Sequence, residues 1–237
     1  MSWPAPSPRD VGVIVVAAGR GSRVGGGAPK QFREIAGAPM LLRALRPFLR
    51  HPEVDLVTAV LPADQVGSPP AWLGELAGDR LRLVAGGVER VDSVRAGLAA
   101  LPPSVRRVLV HDGARPFPAT EVIDAILAVV ARGESAIAAV PLTDTVKETE
   151  RTADGALVVR RTIPRDTLWR AQTPQGFPRA LLEEAHARHD GTPVSDDAAL
   201  IERFGGRLHI VPDSALNLKV TTPEDFVLAE AIAAGAR

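Results

Sequence analysis

Apolar positions along this chain fall into two alternating rhythms. Val11–Val16 (VGVIVV) is a continuous run of Val and Ile bounded by small residues, which predicts a strand buried on both faces. Residues 39–49 (PMLLRALRPFL) space their apolar side chains three and four apart, which predicts a helix packed on one sheet face, with Pro47 ending or kinking it near Phe48. Short strands are predicted over 55–61 (DLVTAVL) and 80–85 (RLRLVA), joined by a Pro- and Gly-rich connection around Trp72 that the pattern does not assign. The second strand runs into Gly86 and Gly87, and a helix opens at Arg90 (RVDSVRAGLAAL). Residues 105–110 (VRRVLV) give a further strand that ends in His111, Asp112, Gly113, Ala114 and Arg115, with a helix predicted over about 120–131. Strand, polar or glycine-rich loop, helix is thus stated three times. In open parallel sheets ligands bind outside the carboxyl ends of the strands, so these three loops are expected to converge on one site.

The rhythm then changes. After a buried strand at 136–140 (AIAAV), the segment KETERTADGALVVRRT alternates polar and apolar residues around Asp154-Gly155, a strong hairpin signal. Such a hairpin has apolar residues on one side only, so it is expected to cover a site or to reach a partner subunit. Beyond it come Thr173-Pro174-Gln175, a helix over Arg179–Arg188, a polar turn at Ser195-Asp196-Asp197, a helix over 198–204, a strand over 208–211 and another short one over 217–220. Thr222-Pro223-Glu224-Asp225 opens the last helix with a cap residue, a proline at the first helical position and two acids in the first turn. No internal repeat is present.

Composition narrows the function without naming it. With 237 residues, 46% of them hydrophobic, the chain is long enough to bury a substantial core as one α/β domain, predicted over 11–237. Lys plus Arg equal Asp plus Glu at 28 each, so no global field draws it to nucleic acid or to an anionic membrane, and any polyanion site must come from local clustering. There is no cysteine, which excludes thiolate chemistry and disulfides and fits a reducing, cytoplasmic setting. No apolar run approaches the ~20 residues that span a bilayer. The Pro-rich opening over 1–10 reads as a disordered leader.

The densest chemistry lies in VGVIVVAAGRGSRVGGGAPKQ, residues 11–31. After the strand, five glycines stand among Arg20, Arg23 and Lys30. A loop that bares backbone N–H groups and carries fixed positive charge suits a polyphosphate. Two familiar phosphate loops are excluded. Val24 stands where the dinucleotide pattern needs its third glycine, and Lys30 lies between Pro29 and Gln31 rather than before Ser or Thr.

The set AAGRGSR…PKQF, GGVERVDSV, HDGARP, DTVKE, TPQGF and LKVTTPEDF, in that order and covering about residues 11–234, resembles the 2-C-methyl-D-erythritol 4-phosphate cytidylyltransferase family. The resemblance implies an α/β, Rossmann-like nucleotidyltransferase fold: a mostly parallel sheet flanked by helices, with an inserted β-hairpin arm at about 143–165. It implies transfer of CMP from CTP to a sugar-alcohol phosphate with release of pyrophosphate, Mg2+ or another divalent cation as cofactor, and a homodimer joined through the arm. A ribitol 5-phosphate cytidylyltransferase shares fold, CTP and most loop motifs and is the nearer alternative. A nucleotide-binding regulatory subunit without catalysis is the alternative from another class, opposed by the intact set of Arg23, Lys30, Asp112, Arg165 and Lys219. Broken at Val24, the fingerprint weakens a NAD-dependent oxidoreductase further.

The chemistry asks for charge rather than for a nucleophilic side chain. The second pKa of a phosphate monoester is about 6, so at neutral pH the acceptor is already mostly a dianion and needs no general base. It does need relief from repulsion as it meets a triphosphate in line. By resemblance Arg23 and Lys30 stabilise the transition state at the α-phosphate, a role worth ~3–4 kcal/mol for each preorganised donor. Arg165 and Lys219 orient the acceptor phosphate. Ala17, Ala18, Gly19, Gly21, Gly86, Gly87, Ser93, Asp112 and Gly113 match nucleotide-binding positions, with Glu89 in the cytosine segment. Asp112, Arg115, Thr145, Arg165, Ser195 and Lys219 match acceptor-binding positions. Asp112 is the carboxylate for Mg2+, directly or through water. Arg115 is expected to aim at the acceptor phosphate or, alternatively, to close the loop as an ion pair with Asp112. The pattern leaves Arg20 as a flanking cation and Arg90 as either structural or phosphate-facing. Gln175 and Asp196 are expected to support the site from behind.

Overall fold

The computed structural model describes residues 9–19 and 29–235, so Arg20, Gly21, Arg23 and the first eight residues of the expected leader lie outside the described residues. The first strand, β1 (Val11–Val16), is followed by a small hairpin, β2 (Glu34–Ile35) and β3 (Ala38–Pro39), and then by α1 (Met40–Arg50). Next come β4 (Val54–Leu61), the short helices α2 (Ala63–Gly67) and α3 (Ala71–Leu76), β5 (Leu81–Ala85), α4 (Arg90–Ala99), β6 (Arg107–Asp112), α5 (Thr120–Val130) and β7 (Ser135–Pro141). The second half contains β8 (Val146–Arg151), β9 (Leu157–Ile163), β10 (Trp169–Pro178), α6 (Arg179–Arg188), α7 (Asp197–Arg203), β11 (Leu208–Pro212) and α8 (Pro223–Gly235).

Seven strands form one sheet in the order β11-β7-β10-β6-β1-β4-β5. Pairs are parallel except where β10 runs against both of its neighbours. This is the mostly parallel, helix-flanked α/β sheet expected from the sequence. The chain steps outward from β1 through β4 to β5, then crosses to β6 on the other side of β1, and that reversal is the point where open sheets leave a crevice. In register Val16 lies opposite Asp112, so the ends of β1 and β6 open together.

Pleating divides β1 between two cores. Val11, Val13 and Val15 pack with Leu41 and Leu45 of α1 and Ile123 and Ile126 of α5 on one face. Ile14 packs with Val94 and Leu98 of α4, Leu182 of α6 and Leu200 of α7 on the other. Each fully buried aliphatic side chain contributes roughly 1.5–3 kcal/mol, so an acid at Ile14 would forfeit that and strand a charge. The strand carries the site on its end because both of its faces are committed to packing.

Two expectations need correcting. Helix α1 runs through Pro47 to Arg50, because Leu41, Ala44, Leu45 and Phe48 are all buried along one stripe and that packing outweighs the missing N–H. Residues 217–220 form no strand; their groups go to side chains and loops, as when Val220 N donates to Ala114 O. The unassigned connection around Trp72 folds as α2 and α3. Strand β10 was not foreseen at all. The polar hairpin is present as β8 and β9, with Gly155 at φ +87° in its turn.

Candidate active site

A cavity of about 410 Å3 lies at the carboxyl ends of β1, β5 and β6. Its lining includes Ala17, Ala18 and Gly19 after β1, Gly87 and Ser93 after β5, and Asp112 and Gly113 at the end of β6. Lys30 and Lys219 reach it from later loops. The glycines and alanines make this convergence possible. A Cβ on Gly86 would lie 2.5 Å from Ala18 Cβ, and one on Gly113 would lie 2.9 Å from Ala17 Cβ, so larger residues would force the loops apart. The Gly87 N–H donates to Ser93 Oγ at 3.2 Å, while the Ser93 hydroxyl donates to Glu89 O at 3.1 Å. Glu89 caps α4 in a reciprocal capping box with Asp92. The loop is therefore stiff before any ligand arrives.

Charge in the cavity is arranged around Asp112. Lys219 Nζ sits 2.7 Å from Asp112 Oδ2, Arg90 Nε lies 3.6 Å from Oδ1, and Arg115 Nε lies 3.9 Å from Oδ2. Burial alone would raise this carboxyl, but Lys219, Arg90 and Arg115 outweigh it and hold Asp112 down to about 2. Beside it, His111 is fully buried, and loss of solvent lowers it to about 4. Its hydrogen bonds fit the neutral ring. Nε2 can only donate to Arg115 O at 3.0 Å, which leaves Nδ1 to accept from the Thr173 hydroxyl at 3.0 Å. Thr173 Oγ1 in turn accepts the Asp112 N–H at 3.0 Å. His111 therefore pins the end of β6 and is not a proton carrier.

Lys219 owes its position to its neighbours in sequence. Asn217 is buried, donates to Thr173 O at 2.9 Å, and has its own carbonyl bound by Arg115 Nη1 at 2.7 Å and Gln172 Nε2 at 3.0 Å. Val220 N donates to Ala114 O at 2.8 Å, and Val220 O accepts from Lys30 Nζ at 2.8 Å. Lys219 is thus held between two anchors, and Lys30 is tied to the second of them. Arg115, expected at the acceptor phosphate or as a loop-closing ion pair, is buried with its Nη1 bound to a carbonyl, and burial lowers its pKa despite Asp112 and Asp213.

Arg90, left open by the sequence, faces both ways. Its Nη1 donates to Asp197 Oδ2 at 2.6 Å, and Asp197 Oδ1 accepts from His186 Nε2 at 3.0 Å. Burial opposes the charge of each partner, and their mutual attraction overrides it, so Asp197 is lowered and Arg90 raised. Next along, Asp196 caps α7 through Ala199 N and accepts from Gln175 Nε2 at 2.7 Å. Gln175 and Asp196 thus bond to each other and neither lines the cavity, and the buried partners Asn217, Gln172, Asp197 and His186 were not singled out by the sequence. The LKV motif that directly follows Asn217 was the available signal for that residue; nothing local distinguished the other three.

Thr145, Arg165 and Ser195 are exposed and do not line this cavity. Arg165 Nη1 donates to Thr143 O at the base of the hairpin. Among the described residues no cluster of three acidic, His or Cys side chains could hold a metal ion. Ionised Asp112 is nevertheless a hard oxygen donor within the cavity, which fits the one or two carboxylates that Mg2+ uses alongside substrate phosphates. No described helix is long and apolar enough to cross a membrane.

The family model for 2-C-methyl-D-erythritol 4-phosphate cytidylyltransferase matches residues 11–234. A protein of that name from Frankia casuarinae is 47% identical over 235 residues, covering 98% of this chain and 84% of its own length. One from Streptomyces avermitilis is 41% identical over 242 residues, covering 100% of this chain and 96% of its own. The solved structure of the Thermus thermophilus protein of the same name is 33% identical, with a TM-score of 0.76 over 95% of this chain and 99% of that one.

Proposed function

The chain belongs to the 2-C-methyl-D-erythritol 4-phosphate cytidylyltransferase family, and from that premise we propose that the cavity at the β1–β6 switch point is where it transfers CMP from CTP to 2-C-methyl-D-erythritol 4-phosphate. The product is the 4-diphosphocytidyl derivative, an intermediate of isoprenoid synthesis. An oxygen of the acceptor phosphate attacks the α-phosphorus, the bond from that phosphorus to the α–β bridging oxygen breaks, and pyrophosphate leaves with the electron pair. No proton need move, since the acceptor is already a dianion near neutral pH. The observation that carries the reading is a family match over 11–234 together with a cationic cavity at the strand ends.

The nucleotide enters over Ala17, Ala18 and Gly19, with its base against Gly86, Gly87 and Ser93. Backbone N–H groups of the glycine loop, with Arg23 and Lys30, take the triphosphate and the charge that grows on the α-phosphate. Lys219 is half exposed, and so can turn to the acceptor phosphate while Arg90 and Arg115 remain beside Asp112. Asp112 would hold Mg2+, which when bound neutralises phosphate charge. Thr145 and Arg165 lie outside the cavity of their own chain, and Leu157 and Val159 on the arm are 62% and 60% exposed. Both facts support a homodimer in which each arm covers its partner's site. A cysteine-free chain of this kind suits the cytoplasm.

One assay tests these points together. Pyrophosphate release is followed with CTP against methylerythritol 4-phosphate and ribitol 5-phosphate, with and without Mg2+, and in mixtures of Arg165→Ala and Lys30→Ala protomers. We expect release with the first acceptor, dependence on the divalent cation, and partial recovery in the mixed dimer. Release with ribitol 5-phosphate alone would overturn the acceptor, and a verified mixed dimer without recovery would overturn the shared site.

A further inference from the structure

We propose that Asp197, on the first turn of α7 and outside the cavity lining, is a positioning residue for cytidylyl transfer: it draws Arg90 away from Asp112 and so keeps Asp112 Oδ1 open to the ligand. The inference rests on the functional reading above. Arg90 stands between two carboxylates and is not shared evenly. Its Nη1 is 2.6 Å from Asp197 Oδ2, a short charge-assisted hydrogen bond, while its Nε is 3.6 Å from Asp112 Oδ1, beyond hydrogen-bonding reach. The shortest approaches of Lys219 and Arg115 to Asp112 are both to Oδ2. Nη2 of Arg90 is buried with no hydrogen-bond partner. Left to itself, a guanidinium next to a carboxylate closes on it through two parallel bonds, and here a donor is spare for that purpose.

What prevents the closure is the seat of Asp197. Its side chain is 1% exposed, its second oxygen is bound by His186 Nε2, and it heads a helix whose cap, Asp196, is tied to Gln175 of β10. Asp197 cannot follow Arg90 toward the cavity. A purely adhesive role would not need charge. Leu98 of α4, Leu182 and Ala185 of α6 and Leu200 and Ile201 of α7 already share one apolar core, and apolar residues generally hold elements together as well as a buried ion pair does. A fixed pair at this point adds the orientation of a guanidinium that lines the site.

Asp197→Asn keeps the shape and an acceptor oxygen but removes the charge that competes for Arg90. The experiment compares wild type, Asp197→Asn, Arg90→Gln and the double variant by crystal structure, thermal melting and steady-state kinetics with CTP and the acceptor. We expect Arg90 in Asp197→Asn to lie within about 3 Å of Asp112, and kcat/KM to fall about tenfold in protein that remains folded. The double variant should match Arg90→Gln alone, since Asp197 acts only through Arg90. If Asp197→Asn does not fold, His186→Leu, which frees one side of Asp197, should lose activity about threefold, and His186→Gln, which keeps an N–H donor, should regain it. Unmoved Arg90, unchanged kcat/KM in a folded variant, or a double-variant loss equal to the product of the single losses overturns the proposal. Lower melting with full turnover per folded molecule overturns it in favour of adhesion. The crystallographic position of Arg90 reads the brace whatever the substrate, so an inactive wild type would count against the functional reading alone.

Discussion

The two ends of β6 carry ionic clusters of opposite design. At the amino end Arg107 meets two acids: Nε lies 3.0 Å from Asp10 Oδ1, and Nη2 lies 2.8 Å from Glu53 Oε2. At the carboxyl end one acid, Asp112, meets Lys219, Arg90 and Arg115. The first cluster has more negative than positive charge, none of its three residues lines the cavity at the other end, and it ties residue 10 and the turn before β4 to the sheet. The second has spare positive charge beside a cavity of about 410 Å3. One strand thus separates a closed lock from a site where, even with Asp197 counted against Arg90, three cations meet two acids beside open space. Arg107 and Asp112, at the centres of the two clusters, are equally buried, so sign balance and access distinguish structure from function here.

Breaking the open end should cost activity most. Lys219→Ala removes a half-exposed cation, and we expect turnover to fall by about 10²–10³, as for other preorganised donors to developing charge, with about 1 kcal/mol of stability lost at most because Arg90 and Arg115 stay beside Asp112. Equal and small losses of kcat and of stability would erase the contrast with the closed end. Next in size is the effect of His111, which sits at the same end but serves the fold. Its folded pKa of about 4 lies below the ordinary histidine value of about 6.5, so the unfolded chain binds the proton first and stability falls as pH drops between those values. The window is about pH 6.5 to 4 and the loss about 3 kcal/mol. Asp112, at about 2, adds a further loss below about pH 4. Urea melts of wild type and His111→Gln across this range should show the slope between about pH 6.5 and 4 reduced in the variant; parallel curves would remove His111 from the account.

Sequence pattern found most of this frame where apolar runs carried it, as in β1, β4 and β6. It failed at β10, whose residues Gln172, Thr173 and Gln175 are buried but polar. Their partners are Asn217, His111 and Asp196, distant in sequence, so no local rhythm marks the strand. The same cause hid half of the site. Lys30 stood out as a cation in a glycine-rich loop and Asp112 at a strand's end, whereas Lys219 came from the family resemblance alone; the structure brings all three to the cavity. Asn217 and Asp197 act on loops remote in the chain, and the sequence offered no measure of that distance. Arg115 was read in the same loop as Asp112, yet that short loop separates a carboxylate that lines the cavity from a guanidinium turned to a carbonyl.

The smallest expected effect comes from breaking the closed end. Arg107 is 12% exposed, with Asp10 and Glu53 at 19% and 27%. Exposed pairs are worth ~0–1 kcal/mol, while removing one partner of a fully buried pair costs about 3–5. Arg107→Ala leaves two acids facing each other in partial contact with water, so about 2 kcal/mol of stability is expected to go. Neither acid touches the cavity, and the hydrogen bonds from Arg106 N and Arg107 N to Asp10 O are main-chain bonds that alanine preserves. The register of β6 against β1 should therefore survive, and with it the alignment of Val16 and Asp112 at the far end. Turnover per folded molecule should stay within about twofold of wild type. A folded Arg107→Ala protein with turnover reduced about tenfold would mean that strain passes along the strand, and the two ends would then be one device.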